Sequence, residues 1–306
     1  GIPDPLWSRG LGDVYKRQLT FSGSGDMDNG IGYSVSYDIE DGDAAGHNIT
    51  FDLGGGLKLG IGYDQSYGIE TVKAISPYVN NRRAHITGAH RGFPTAARKP
   101  LGPDVWDTSS GENAIGLSFK NDLAAISFGF TPVRDVNTST DAIAASSATS
   151  SEYGTASSIG VKLTPVDGLT IGFGTSSEES DATANSDPKG TTIGFQYKIG
   201  SFAIGYQEIE NELDDTTTQR VTTTEIQEGG VAYKVNDALT IGVFAANINY
   251  LTVNTDNGVE TGMGIVQVGY NLGPAVIQYD YADGSDLNST KDTEYEIHKV
   301  KIKVLF

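Results

Sequence analysis

Six of the chain's 21 lysines and arginines fall within residues 66–111: Lys73, Arg82, Arg83, Arg91, Arg98 and Lys99. Only three of its 39 acids, Glu70, Asp104 and Asp107, join them, so the stretch is net positive inside a chain of net charge −18. Fixed cations gathered in one place act on solutes through their field, drawing anions and turning cations away. A second set, Lys58, Lys120, Lys162, Lys198 and Lys234, recurs close to short Gly-, Asn- or Asp-containing turns, and Lys299, Lys301 and Lys303 close the chain. Asp38, Asp64, Glu208, Glu210 and Asp280 stand toward the other ends of the same segments, with Glu178, Glu179, Asp181, Glu212, Asp214, Asp215 and Asp286 in the connections beyond. These two sets are expected at opposite mouths of one structure, acidic at one end and basic at the other.

Bond-making chemistry has little to work with. Without cysteine there is no thiolate nucleophile, thiolate metal site or disulfide. His47, His85, His90 and His298 are scattered, and no Ser, Cys or carboxylate arrangement beside them singles out a nucleophile or a metal centre. The expectation is a protein that is not an enzyme and holds no cofactor. "DMDNG", residues 26–30, starts like a calcium loop but lacks the later Glu, and a turn explains it. Acidic outer loops are expected to hold Ca²⁺ or Mg²⁺ loosely, between lipid phosphates, or simply to be solvated. Nucleic acid is excluded as a partner, because its phosphates would be repelled.

The elements that must carry these charges alternate. In "TTIGFQYKIGSFAIGYQEIE", residues 191–210, Ile193, Phe195, Tyr197 and Ile199 oppose Thr192, Gly194, Gln196 and Lys198. After Gly200-Ser201, Phe202, Ile204 and Tyr206 oppose Ala203, Gly205 and Gln207, which makes a hairpin of two amphipathic strands. Ile-Gly followed by an apolar or aromatic residue recurs from Ile31, Ile61, Ile115, Ile159, Ile171, Ile193, Ile204 and Ile241. Thirty-nine glycines and fifteen tyrosines, with no helical stripe, place the whole chain in this class. Alternation predicts fifteen strands, near 19–25, 31–39, 47–53, 57–65, 112–120, 123–131, 153–164, 168–177, 190–199, 201–210, 221–235, 238–249, 259–271, 275–283 and 292–306. Their connections are tight at one end and long and polar at the other, the plan of an outer-membrane barrel with an even strand number.

About sixteen strands leave an aqueous lumen. The polar side, with the five repeated lysines, is therefore expected inside and the Ile, Phe and Tyr outside in lipid. Glycine on the lumen wall would save space, with neighbouring aromatics shielding the backbone. Tyr33, Tyr63, Tyr206, Tyr233, Tyr270 and Phe306 are candidates for the aromatic girdles at the lipid boundaries.

A last strand "KVKIKVLF" closing on Phe306 resembles the assembly signal of outer-membrane barrels. "VAYKVNDALTIGVF", residues 231–244, and "GSGDMDNGIGYSVSYDIEDG", residues 23–42, resemble hairpins of the general diffusion porins of Gram-negative bacteria, most of all the alphaproteobacterial type. The resemblance implies an all-β, 16-stranded antiparallel transmembrane barrel, fifteen strands being readable and the first lost or replaced. It also implies a homotrimer in the bacterial outer membrane, among lipid and lipopolysaccharide, passing small hydrophilic solutes and ions by passive diffusion.

Residues 66–111 sit where that family's long third loop folds into the lumen. Arg82, Arg83, Arg91, Arg98 and Lys99 are then candidates for a pore constriction that favours anions. The family's third loop is usually acidic, so its constriction residues are not carried over, and a solvated loop or a garbled segment over 73–103 stays open. Residues 1–18, with two prolines and no alternation, are expected to be a non-native leader, leaving 19–306 as the barrel. An adhesin or a barrel enzyme is the alternative function.

Overall fold

In a computed structural model, the described residues are 18–40, 43–63, 67–72, 75, 113–132, 134–135, 152–180, 189–215, 220–252, 260–285 and 294–304. Residues 1–17, 76–112 and 305–306 lie outside them. The strands are β1 (Gln18–Asp26), β2 (Gly32–Glu40), β3 (Asp43–Gly54), β4 (Leu57–Tyr63), β5 (Asn113–Lys120), β6 (Ala124–Thr131), a two-residue β7 (Arg134–Asp135), β8 (Glu152–Leu163), β9 (Leu169–Ser180), β10 (Lys189–Ile199), β11 (Phe202–Asp215), β12 (Arg220–Lys234), β13 (Leu239–Thr252), β14 (Glu260–Asn271), β15 (Ala275–Ser285) and β16 (Glu294–Val304). Fifteen long strands form one sheet in chain order, each antiparallel to the next, and β7 pairs only with β8. They coincide with the fifteen alternating segments of the sequence.

Turn chemistry sets the registers. The Asn121 side-chain carbonyl accepts from the Leu123 and Ala124 N–H groups, and Asn236 does the same for Ala238 and Leu239. Such Asx turns reverse the chain without help from neighbours. Gly56 and Gly168, at φ 86° and 77°, lie against the backbones of Lys120 and Lys198, where a Cβ would collide.

Two faces follow from the registers. Leu117, Phe128 and Ile159 share one face, as do Phe195, Tyr206, Val231, Val243 and Val266 on theirs. The opposite face meets a 3₁₀ turn, Gly68–Thr71, and the residues flanking it, which touch strands from β3 to β11. Along the sheet those two strands are seven spacings apart, about 34 Å at ~4.8 Å each. A segment that includes a turn rising only about 2 Å per residue reaches that far only if the sheet curves around it. The face bearing the turn is therefore the inner, concave one. Both buried apolar clusters also lie there: Ile69, Val72, Ile75, Ile209, Ile226 and Ile248, and Ala232, Phe244, Met263, Ile265 and Ala282.

Among the described residues no ladder joins β1 to β16. An odd number of alternating strands makes these two run in the same direction. A further strand between them would pair antiparallel with both, as an even-stranded barrel requires.

Candidate functional site

The inner wall is built around the seat of the long loop. One register row crosses seven strands from Ser127 through Gly160, Gly174, Thr192, Ile209 and Ile226 to Ile248. The 3₁₀ turn lies along it. Ser127 Oγ accepts from the Gly68 N–H at 2.9 Å, and Ser158 Oγ accepts from the Ile69 N–H at 3.4 Å. Tyr67 donates its hydroxyl to Asn48 Oδ1 at 3.0 Å. Its ring covers Gly60 and Gly116, where any Cβ would overlap it. Gly160 makes room for the Gly68 carbonyl, and Gly172 for the Ile75 side chain. The recurring Ile-Gly pairs thus have a second use: several glycines open the floor on which the loop is seated.

Apolar residues on the inner wall correct the expectation that Ile and Phe face only lipid. On β11 the phase is constant, with Ile204 and Tyr206 outside and Gln207 and Ile209 inside. Ile209 is inside because Ile69, Val72 and Ile75 cover it.

Glu208 and Glu210, two of the acids expected toward the far ends of the strands, share the outer face with Ile204. Glu208 stands opposite Ile193 and Gln227, and accepts from Gln227 Nε2 at 3.1 Å. The outer row Phe119, Ile126, Val161, Phe173, Ile193, Glu208, Gln227, Asn247 turns polar as it proceeds. Rows run across tilted strands, so they climb the barrel, and past Ile193 this one leaves the apolar band.

Lys58, Lys120, Lys162, Lys198 and Lys234 all share the inner face, in register with Ser118, Ala125, Gly172, Ala203 and Thr240. Lys299 and Lys301 stand opposite Asp280 and Gln278 on that same face. Turn carboxylates temper two of them: Lys234 Nζ lies 2.8 Å from Asp237 Oδ1, and Lys58 Nζ 4.0 Å from Asp52. The hydrogen bond from Lys234, with its charge, holds the Asp237 carboxyl below its ordinary range. Higher on the inner wall are Asp38 and the buried carboxylates Glu178, Glu228 and Asp280, the last accepting from Gln278 Nε2 at 2.7 Å. Arg82, Arg83, Arg91, Arg98, Lys99, Asp64 and Phe306 lie outside the described residues. Tyr33, Tyr206, Tyr233 and Tyr270 are on the outer face, with the Tyr233 ring 4.6 Å from that of Phe202. Among the described residues no group of three or more His, Asp or Glu side chains is placed to hold a metal ion.

Burial of Tyr67 raises its hydroxyl pKa above the usual 10.0. A group whose folded pKa is raised contributes stability that is complete below the unfolded value and is lost as pH rises through the folded one. The seat should therefore be intact at neutral pH and loosen above pH 10. A change in unit conductance over that alkaline range, absent from a Tyr67→Phe variant, is the expected result.

A sequence profile described as Gram-negative porin matches residues 10–287. No curated protein matches the chain. Solved structures share the fold at low identity. A porin refined at 1.8 Å resolution superposes with a TM-score of 0.60 at 14% identity, over 94% of this chain and 92% of its own. The anion-selective porin from Comamonas acidovorans gives 0.60 at 12% identity, over 94% and 88%. OmpT of Vibrio cholerae, expressed in the outer membrane, gives 0.59 at 12%, over 93% and 86%.

Proposed function

Because the chain belongs to the Gram-negative porin family, we infer that this outer-membrane porin sieves small hydrophilic solutes and ions by size and charge, with no catalytic step. The observation that carries this reading is the inner face itself: the long loop's first turn and all five repeated lysines share it. Passive diffusion requires no cofactor, and the acidic connections would at most bridge Ca²⁺ or Mg²⁺ loosely to lipid phosphates.

Selectivity follows from where the cations stand. The lysines form a basic inner rim at the end with the short turns, and Arg82, Arg83, Arg91, Arg98 and Lys99 would add a basic constriction. Both favour anions over cations. A homotrimer fits the reading, since one solved form of the OmpT fold is a trimer.

Planar-bilayer recording of the detergent-purified protein under a salt gradient tests it. Stable conductance steps, in threes for a trimer, with an anion-selective reversal potential are expected. Replacing Lys58, Lys120, Lys162, Lys198 and Lys234 together by Gln should move that potential toward cations while leaving steps intact. Folded, membrane-inserted protein without conductance would overturn the channel, and cell adhesion or hydrolysis by that silent protein would favour an adhesin or a barrel enzyme.

A further inference from the structure

Apolar contact and hydrogen bonding play different parts in seating the loop. Ile69, Val72 and Ile75 bury themselves against Ile209, Ile226 and Ile248. Such contact holds the loop to the wall but is non-directional and permits sliding. Register comes from Gln207 on β11, which is 0% exposed. Its Oε1 accepts from the Ile75 N–H at 3.1 Å. Its Nε2 donates to the Val72 carbonyl at 3.3 Å and to Thr192 Oγ1 at 2.8 Å.

Val72 and Ile75 belong to no ladder and both are buried; the turn itself meets the Val72 N–H through the Ile69 carbonyl, while the wall meets the Val72 carbonyl and the Ile75 N–H. Gln207 bridges the two with opposite polarity, and an amide placed the wrong way round would meet donor with donor. Thr192 on β10 fixes that orientation, itself donating to the Glu208 carbonyl at 3.0 Å. Glycine clears the surroundings: Gly194 stands opposite Gln207 with Gly172 beyond it in the same register row, and a Cβ on Gly194 would come within 3.2 Å of Gln207.

We propose that Gln207 is a positioning residue of the pore: by clamping Val72 and Ile75 it holds the first residues of the long loop at one place on the wall, and so sets the aperture. The proposal rests on the porin reading. A residue more than 130 positions downstream of Val72 and Ile75 then determines a property of the loop they begin.

Single-channel recording separates the two claims, because the wild type tests the porin reading and the variants test the clamp. Gln207→Met keeps length and bulk but makes no hydrogen bonds. It should fold, migrate on a heat-modifiability gel like wild type, and lose the single sharp conductance level in favour of a broad or multi-level distribution with an altered reversal potential. Thr192→Val, which leaves Gln207 in place and only frees its orientation, should broaden the level to a lesser degree. Wild-type level and selectivity in folded Gln207→Met would overturn the proposal. Should that variant not fold, the same wild-type behaviour in Thr192→Val would overturn it.

Discussion

Phe173→Arg should cost the barrel about 2–4 kcal/mol, the penalty for an arginine on the lipid face near the bilayer midplane. Phe173 is 48% exposed, with Val161 and Ile193 beside it in register and Leu163, Ile171 and Phe195 in the next outer row. Exposure of so much aromatic surface is costly in water and favourable in hydrocarbon. The inner face of the neighbouring strand should give the opposite result: Lys162, next to Val161 and in register with Gly172, can lose its charge as Lys162→Gln with a change in selectivity and little change in stability. Denaturant titration of both variants folded into vesicles measures this contrast. Equal stability for Phe173→Arg and wild type would mean that this face is not in lipid, and would remove the basis for assigning inside and outside.

Gly116→Val should unseat Tyr67. A Cβ at Gly116 would overlap the Tyr67 ring, so the ring must swing off the floor formed by Gly60 and Gly116 and give up its hydrogen bond to Asn48. Overpacking of this kind costs typically 1–3 kcal/mol. Valine suits a strand, so the cost falls on the seat rather than on the β4–β5 ladder. Two readouts are expected together: a shifted unit conductance, and loss of the alkaline conductance change assigned to Tyr67. Gly264→Ala on the outer face serves as control, because nothing lies closer than 3.9 Å to its added Cβ. Wild-type conductance for Gly116→Val would show that the ring does not shape the pore.

Alternation by itself determined the fifteen strands, their short turns and the side on which each repeated lysine lies, because a strand's period of two is a local property of the chain. Lys198 follows from Tyr197 and Ile199 without knowledge of any partner. Tertiary structure decided what covers each face. Ile209 and Glu208 look interchanged in the sequence, an apolar residue on the polar side and an acid on the apolar side. Ile209 lies inward because Ile69, Val72 and Ile75 cover it from a segment more than 130 residues away. Glu208 lies outward because its register row has climbed past the apolar band. Gln207 carried no signal of its role for the same reason: its partners Val72 and Ile75 are remote in sequence, and hydrogen bonds that close a long loop leave no local pattern. Residue types and spacing set the strands and their phase, and only the packing of distant segments against one wall decided where Tyr67, the 3₁₀ turn and Ile75 are seated.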